Sequence, residues 1–539
     1  MITISNLLSS PKIRNLLNSY SLIIIFLLFL GVRFIGITNE LSDYHHFRQT
    51  YTASFAKYFY ENGYDLFNPR LDILNYKNVS EFQIYPFLVA CLYKIFGFHD
   101  WLGRILSLFF SLGTFFILYK LVLLFFDKPT ALLSILFYSI LPLSIYYSRV
   151  FMLEPLMLLL SVSMIYTFSL YIIEDNKKYF FYSIILTALT LLIKIPTIYM
   201  LLPIFYLMYD KRGLNLFRRS SSYMFAILSF IPSVYWYFLH PVLFPSDSIV
   251  DKRIMSMYYS ADAWEYYIEL MKNLSTWKSI FLISIAEYHL ALVVFIFFVF
   301  GVILLFKNLF SKDHKSILYK SNIWVFFYWF VGFLIFILTF IAPNLAHEYY
   351  QLPIEIPCII IASYFIRVIF EMEKELYKNI IVVLIILIIP FSALKVKSRL
   401  HQDKFYPKFA EELNKISNKD DLIIVADNTP RTEVFYFSER KGFQMIIPAG
   451  FTFLTTNISE KQQRLLENEI EGYRKEGAKY FVTPYIEFPL YMSYLKNYLD
   501  GKYICKLGCD VSKERALLKD PTITGFIYDL TRTRPDISQ

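Results

Sequence analysis

Apolar residues in this chain gather in long, nearly unbroken runs. They lie near 20–37, 101–126, 130–148, 153–173, 178–194, 195–209, 221–239, 279–306, 322–341, 353–370 and 378–394. A helix crossing the hydrocarbon core of a bilayer needs about 20 such residues, and the pattern predicts about 11 transmembrane helices. Between 178 and 209 only Lys194–Pro196 separates two runs. The stretch Tyr85–Phe98 is short for a span and is expected along the membrane surface.

After residue 394 the polarity is mixed. Asp421–Asp427 (D-L-I-I-V-A-D) reads as a buried strand, Ser459–Lys475 as a charged helix and Lys479–Thr483 as another strand. Pro489–Leu499 reads as helical and Thr524–Leu530 as strand-like. That alternation predicts a small α/β domain. The fold class expected is therefore a multi-pass α-helical membrane protein with a C-terminal extracytoplasmic α/β domain. Its boundaries fall at 1–394, with outer loops 38–100 and 240–278, and at 395–539.

Composition agrees. Of 539 residues, 56% are hydrophobic and 18% charged, with a mean hydropathy of +0.45, whereas a soluble domain carries about 25% charged residues. The net charge of +9 comes from short loops, not from a basic strip interleaved with aromatics, so no nucleic-acid partner is expected. Those loops are 127–130, 174–178, 210–220, 307–321 (with Lys312, Lys315 and Lys320) and 367–378. The short turns between them carry only Arg149 and Lys194. Basic loops stay cytoplasmic, which predicts a protein of the inner membrane with its N-terminus inside and its C-terminal domain outside. Lys12 and Arg14 precede the apolar run Leu22–Ile35 with no small-residue cleavage site, which reads as an uncleaved signal anchor in the same orientation. Of four cysteines, Cys91 and Cys358 lie in apolar stretches as packing residues. Cys505 and Cys509 would form a disulfide if that end is outside the cell. The N-x-S triplets at Asn78, Asn273 and Asn457 are common enough by chance to carry no argument.

Polar residues at a membrane border are costly and call for a reason. Four clusters fall on the outer side by this threading. Asp43-Tyr44-His45-His46-Phe47-Arg48-Gln49 sets a carboxylate beside imidazoles and a guanidinium, a base with a tuned pKa or else a solvated loop. Arg149-Val-Phe-Met-Leu-Glu154-Pro155 offers a planar fork for phosphate or carboxylate, or an interfacial pair of Arg149 with Glu154. Lys194 either meets a lipid phosphate or snorkels to the interface. His347-Glu348-Tyr349-Tyr350-Gln351-Leu352-Pro353 could bind a metal, orient a sugar, relay a proton or form an aromatic belt. In the C-terminal domain, Asp427-Asn428-Thr429 follows a strand and reads as a ligand contact or a turn.

Taken in order, D-x-x-H-F-R-Q-T-Y-T-A-S from Asp43, E-F-Q-I-Y-P-F-L-V-A-C-L-Y-K-I-F-G at 81–97, Y-Y-S-R-V-F-M-L-E-P-L-M at 146–157 and H-E-Y-Y-Q-L-P at 347–353 resemble a known superfamily. It comprises the protein O-mannosyltransferases and aminoarabinose transferases, glycosyltransferases of the GT-C fold, family 39-like. The likeness covers about residues 15–370. It implies a polyprenyl-phosphate-linked sugar donor used on the outer face, and a catalytic acid in the first outer loop that maps onto Asp43. Many members show Asp-Glu there; this chain has Asp43-Tyr44, with Glu40 three residues earlier. Glu348 stands where relatives often carry Asp. Charge and topology add Arg149, Lys194 and His347 at the donor phosphate and sugar. Further substrate-binding candidates are His46, Arg48, Glu81, Glu154, Glu348 and Tyr349.

The expected reaction is a single displacement at the anomeric carbon, with inversion, through an oxocarbenium-like transition state. Asp43 would take the acceptor's proton while Lys194 and Arg149 stabilise the leaving phosphate. A phosphate-linked donor carries no pyrophosphate to neutralise, so no cofactor is expected to be required, a divalent metal being the alternative. The acceptor would be a protein, a lipid or an envelope glycan, and membrane lipid surrounds the spans. The main rival is a transporter or flippase of lipid-linked sugars, which should show charges or broken helices at mid-membrane. A non-catalytic assembly protein that keeps the fold is a second rival.

Overall fold

Helix forms over each of the apolar runs in the computed structural model, which describes residues 11–76, 81–243, 252, 261–309, 323–372, 374–427, 431–447, 459–484, 488, 492–510 and 525–533. Lys312, Lys315, Lys320, Asn428, Thr429, Asn78, Asn457 and the start of the Pro489–Leu499 segment lie outside the described residues, as do the side chains of 11–19, 261–263 and 308–309. Among the described residues, five helices are each long and apolar enough to cross a membrane: Asp100–Phe125, Glu154–Glu174, Ser220–Leu243, Glu348–Glu371 and Glu375–Arg399. The run 279–306 is not the single straight span expected. It bends by 109° between Leu274–His289 and Val293–Lys307, a sixth crossing if the pair is one span. At the bend Ala291 and Leu292 both take left-handed backbone angles, with φ of 49° and 51°, which no α-helix can continue through.

Contacts divide the chain into two units. The first comprises Met1–Thr38, Trp101–His240 and Leu270–Leu400; the second comprises Asn39–Asp100, Pro241–Glu269 and His401–Gln539.

The first unit is helical. Glu154–Glu174 and Lys177–Ile193 form a tight antiparallel hairpin. Asp175 closes it in the left-handed conformation, with φ 53°, and the Asn176 side chain accepts from the Lys178 N–H at 2.9 Å. Some hydroxyls buried in these helices bond their own backbone one turn back, as Ser161 does to the Met157 carbonyl and Ser169 to that of Ile165, both at 2.7 Å. This satisfies a polar group where no water reaches it. The run 130–148 breaks into Lys128–Ile140 and Pro142–Tyr147. Pro142 has no N–H for the Tyr138 carbonyl four residues earlier. Buried Arg33 supplies a replacement, its Nη2 donating to Tyr138 O at 2.8 Å and its Nη1 to Ser139 O at 3.0 Å. The break expected at Lys194–Pro196 is where Lys177–Ile193 gives way to a 3-10 segment, Ile195–Met200.

The second unit is built on a five-stranded sheet: β1 (Leu422–Asp427), β2 (Gly442–Ile446), β3 (Ala478–Thr483), β4 (Tyr503–Leu507) and β5 (Phe526–Thr533). The order is β2-β1-β3-β5-β4, with β1 parallel to β2 and β3, and β5 antiparallel to β3 and β4. Side chains alternate between the faces, as strand geometry requires. Ile424, Ala426, Phe481 and Tyr528 pack under Glu460–Lys475 and Ser493–Lys502. Ile423, Val425, Val482 and Ile527 pack on the other face against Phe409 and Leu413 of Phe405–Ile416.

That second face corrects the expected domain boundary. Phe55, Phe59, Leu71, Ile73 and Ala90 join the same core, so the segment 39–100 groups with the sheet and not with the transmembrane helices. The apolar face of the sheet is covered in part by these residues. Ile73 pairs with Gly442 as an isolated parallel bridge. On its other side Gly442 pairs with Ile423 of β1, and a Cβ there would lie 1.9 Å from the Ile423 carbonyl oxygen, so the position has room only for glycine. The short apolar stretch at 85–98 is the helix Ile84–Phe96, lodged in this unit with Phe87 edge-on to Phe59 at 5.7 Å. Cys505 and Cys509 form a disulfide. Strands β2 and β4 and the helix Phe405–Ile416 carried no signal that the sequence pattern had used.

Candidate active site

In the second unit, Asp43 sits in the turn before the helix His46–Asn62. It is fully buried, and Gln49 Nε2 donates to its Oδ1. Gln49 lies one turn into the helix, also fully buried, and donates to the Tyr44 carbonyl at 3.2 Å. His45 between them is held in the left-handed conformation, with φ 57°. Such strain is stored where surrounding contacts over-determine the backbone, and functional sites are a common place for it.

His46 opens the helix. Its Nδ1 lies 3.1 Å from Oε1 of buried Glu433, and its Nε2 lies 3.9 Å from Oδ2 of Asp403. The Tyr406 ring stands 5.2 Å away. Burial, with the charge of Glu433 beside it, pushes the Tyr406 phenol well above its ordinary range. Arg431 reaches Asp427 at 3.0 Å and Glu433 at 3.9 Å. Burial works against its charge, but Asp427, Tyr406 and Glu433 outweigh that and hold the guanidinium firmly protonated. Arg48 and Glu81 bind each other as an ion pair, so these two expected site residues do meet.

In the helical unit, Lys194 Nζ meets Glu154 Oε1 at 2.8 Å, with both side chains buried. The hairpin explains why residues 40 positions apart touch. One helix leaves from Glu154 and its partner returns to Lys194, so the two ends share a level. The Lys194 ammonium lies 4.1 Å from the centroid of the Tyr350 ring and 5.2 Å from that of Tyr349, within cation–π range. The carboxylate of Glu154, weighed from sequence as a partner of Arg149, is bonded by Lys194. Arg149 is buried and donates from Nη1 to the Gly36 carbonyl at 2.7 Å. His347 stacks on Tyr349, with ring centroids 5.3 Å apart. Glu348 pairs with Arg399 at 2.8 Å and accepts from the Tyr147 hydroxyl at 3.3 Å.

Several polar residues here went unmarked in the sequence. His289 Nδ1 and Glu355 Oε1 lie 2.8 Å apart, both fully buried, and His289 Nε2 is 3.2 Å from the Glu348 carbonyl oxygen. Arg33, Arg399 and Tyr147 are further members of the helical unit's polar interior, and Glu433, Asp403 and Arg431 were missed in the second unit. An ionisable residue inside an apolar run was the available signal. It picks out Arg33, His289 and Glu355, which lie inside apolar runs and not in the polar clusters at their ends. Among the described residues no three His, Cys, Asp or Glu side chains are grouped to hold a metal ion.

Residues 83–236 match the family model described as dolichyl-phosphate-mannose-protein mannosyltransferase. No curated protein matches the chain. Among solved structures, ArnT from Cupriavidus metallidurans, bound to undecaprenyl phosphate, is similar over 94% of this chain and 97% of its own, with 10% identity and a TM-score of 0.52. The oligosaccharyltransferase of Archaeoglobus fulgidus, in complex with zinc and sulfate, is similar over 91% of this chain and 72% of its own, with 12% identity and a TM-score of 0.56. The archaeal oligosaccharyltransferase AglB from the same organism, with an inhibitory peptide and a dolichol-phosphate, gives 12% identity and a TM-score of 0.52 over 91% of this chain and 73% of its own. The fold is thus the GT-C membrane fold with a C-terminal sheet-bearing unit. The matched family model and these structural neighbours are those of glycosyltransferases. Nothing in these likenesses favours the transporter.

Proposed function

We propose that this protein is a membrane glycosyltransferase that moves a sugar from a polyprenyl-phosphate donor to an acceptor on the outer face of the membrane. One observation carries the reading. The chain shares its fold over nine-tenths of its length with two proteins captured with polyprenyl phosphates, undecaprenyl phosphate in ArnT and a dolichol-phosphate in AglB.

Asp43 is the proposed base. Its carboxylate is buried and oriented by Gln49, as a group that must accept a proton along one direction should be. Lys194 is the proposed phosphate ligand. It is a buried cation whose position is set by Glu154 and two tyrosine rings, and a cation held in place before the reaction stabilises charge growing on a leaving phosphate. Arg149, His347, Glu348 and Tyr349 are assigned to the donor, and His46, Arg48 and Glu81 to the acceptor side. The displacement is single and inverts the anomeric carbon. A single phosphate asks for less counter-charge than a pyrophosphate, so no metal takes part in this reading.

The test is transfer of radiolabelled sugar from polyprenyl phosphates to an envelope extract by detergent-purified protein. Wild type is expected to move label, with chelator present as without it, and Asp43→Asn to lose about 100- to 10,000-fold in rate, the usual scale of a general base. Full activity in Asp43→Asn would overturn the assignment.

A further inference from the structure

The turn that carries Asp43 is held from several sides by residues near 400 and 432, far away in sequence. The Asp403 N–H donates to the Ser42 carbonyl at 2.7 Å, next door to Asp43. His46, the first helical residue after the turn, sits between Glu433 at 3.1 Å and Asp403 at 3.9 Å. Thr432 faces Thr50 one turn on, their hydroxyls 3.3 Å apart, and bonds the Phe47 carbonyl at 3.4 Å. Lys404 and Glu40 add an exposed pair at the turn's start, at 2.9 Å. All of these residues belong to the second unit.

We propose that Glu433 and Asp403 are positioning residues for Asp43, and that the C-terminal domain acts in catalysis by clamping the Asp43 turn through His46. The inference rests on the transferase reading above. The choice of residue type supports it. An apolar contact would join two helices as firmly as an ion pair, because burying a carboxylate costs desolvation that the pair must recover. What a carboxylate adds is direction, since it fixes the angle of the imidazole it faces. Glu433 is fully buried, and its remaining oxygen, Oε2, has no hydrogen-bond partner among the described residues. Its Oε1 is spent on His46 and, at longer range, on Arg431. The backbone so fixed runs from His46 through strained His45 to Asp43, and Gln49 in the same first turn of helix holds the Asp43 carboxylate.

The test uses full-length protein in detergent and two readouts. The first is amide hydrogen exchange. Glu433→Gln is expected to speed exchange about tenfold or more over residues 41–49 while β1 and β3 keep their protection. Lys404→Ala, which removes only the exposed pair, is expected to leave it unchanged. The second is kinetics. A misplaced base lowers kcat by about 10- to 100-fold, with the KM for the lipid donor unchanged. In an Asp43→Asn background Glu433→Gln should cost kcat nothing further at saturating acceptor, because its effect on the chemical step passes through Asp43. Unchanged exchange over 41–49 would overturn the proposal, and so would faster exchange with kcat intact. If wild type moves no sugar from any donor, the transferase reading falls and with it the catalytic role of the clamp. Local exchange at 41–49 would then show whether the clamp itself exists.

Discussion

At the scale of single residues, a buried ion pair makes each partner dependent on the other. Removing one charge leaves its counter-charge in a medium that cannot solvate it. Lys194→Met should therefore destabilise the helical unit by about 3–5 kcal/mol, because the Glu154 carboxylate stays behind in the hairpin. The double variant Lys194→Met with Glu154→Gln should recover most of that loss and yet remain inactive in sugar transfer. Thermal unfolding of the detergent-solubilised variants separates the two effects. A double variant that recovered stability and activity together would make Lys194 a packing residue only. The sequence marked Lys194, Glu154 and Tyr349 as separate features. The apolar runs gave the two helices, but the meeting of these side chains depended on how the helices pack, which no local pattern encodes.

At the scale of elements, a proline break can be legible in sequence, but its repair is not. The break at Lys194–Pro196 was expected and is seen, whereas the run 130–148 was expected whole and breaks at Pro142, where the replacement donor comes from Arg33, more than a hundred residues upstream. The guanidinium also bonds Ser148 and Ser144 and lies over the Phe29 ring at 3.8 Å. It acts as a staple between the first helix and the broken one. Arg33→Leu is expected to cost roughly 2–3 kcal/mol, because the Ser139 carbonyl loses a partner and that of Tyr138 loses one of two. Unfolding of the variant by a chaotrope in detergent would show it, and an unchanged midpoint would mean that water or lipid can take over the two carbonyls. The second broken run, 279–306, had no proline to announce it. Its left-handed residues are alanine and leucine, which local propensity places in helix.

At the scale of the molecule, the second unit holds itself together across its sheet. Glu471, on the helix Glu460–Lys475, collects Tyr503, Lys502 at 2.9 Å and Tyr498 at 2.8 Å. Burial raises this carboxyl's pKa, but the three donors outweigh burial and bring it down from 4.5 to about 2. The folded value lies below the unfolded one, so the stabilisation is complete above the unfolded pKa and is lost as pH falls through the folded one. Glu471→Gln should thus lower the unfolding temperature at pH 7, and the gap from wild type should close between about pH 4.5 and about pH 2. A gap that stayed constant over that window would remove the carboxylate from the account. The clamp on Asp43 belongs to this scale as well, since a C-terminal domain that covers its own sheet with residues 39–100 has the means to hold the turn inside them.

What the sequence alone determined was the class of protein. Long apolar runs leave a helical membrane fold as the physical solution, and the change of polarity after 394 marks a second kind of structure. The ordered motifs around Asp43, Arg149 and His347 by themselves pointed to sugar-transfer chemistry. What only the tertiary structure decided was which charges are partners and which segments share a core. Ion pairs such as Lys194–Glu154 and His46–Glu433 form between residues set side by side by packing, and the sheet's second face drew in residues 39–100 because an apolar surface must be covered. Hydrophobic periodicity acts locally and can be read along a chain, whereas burial makes polar groups find partners across the fold.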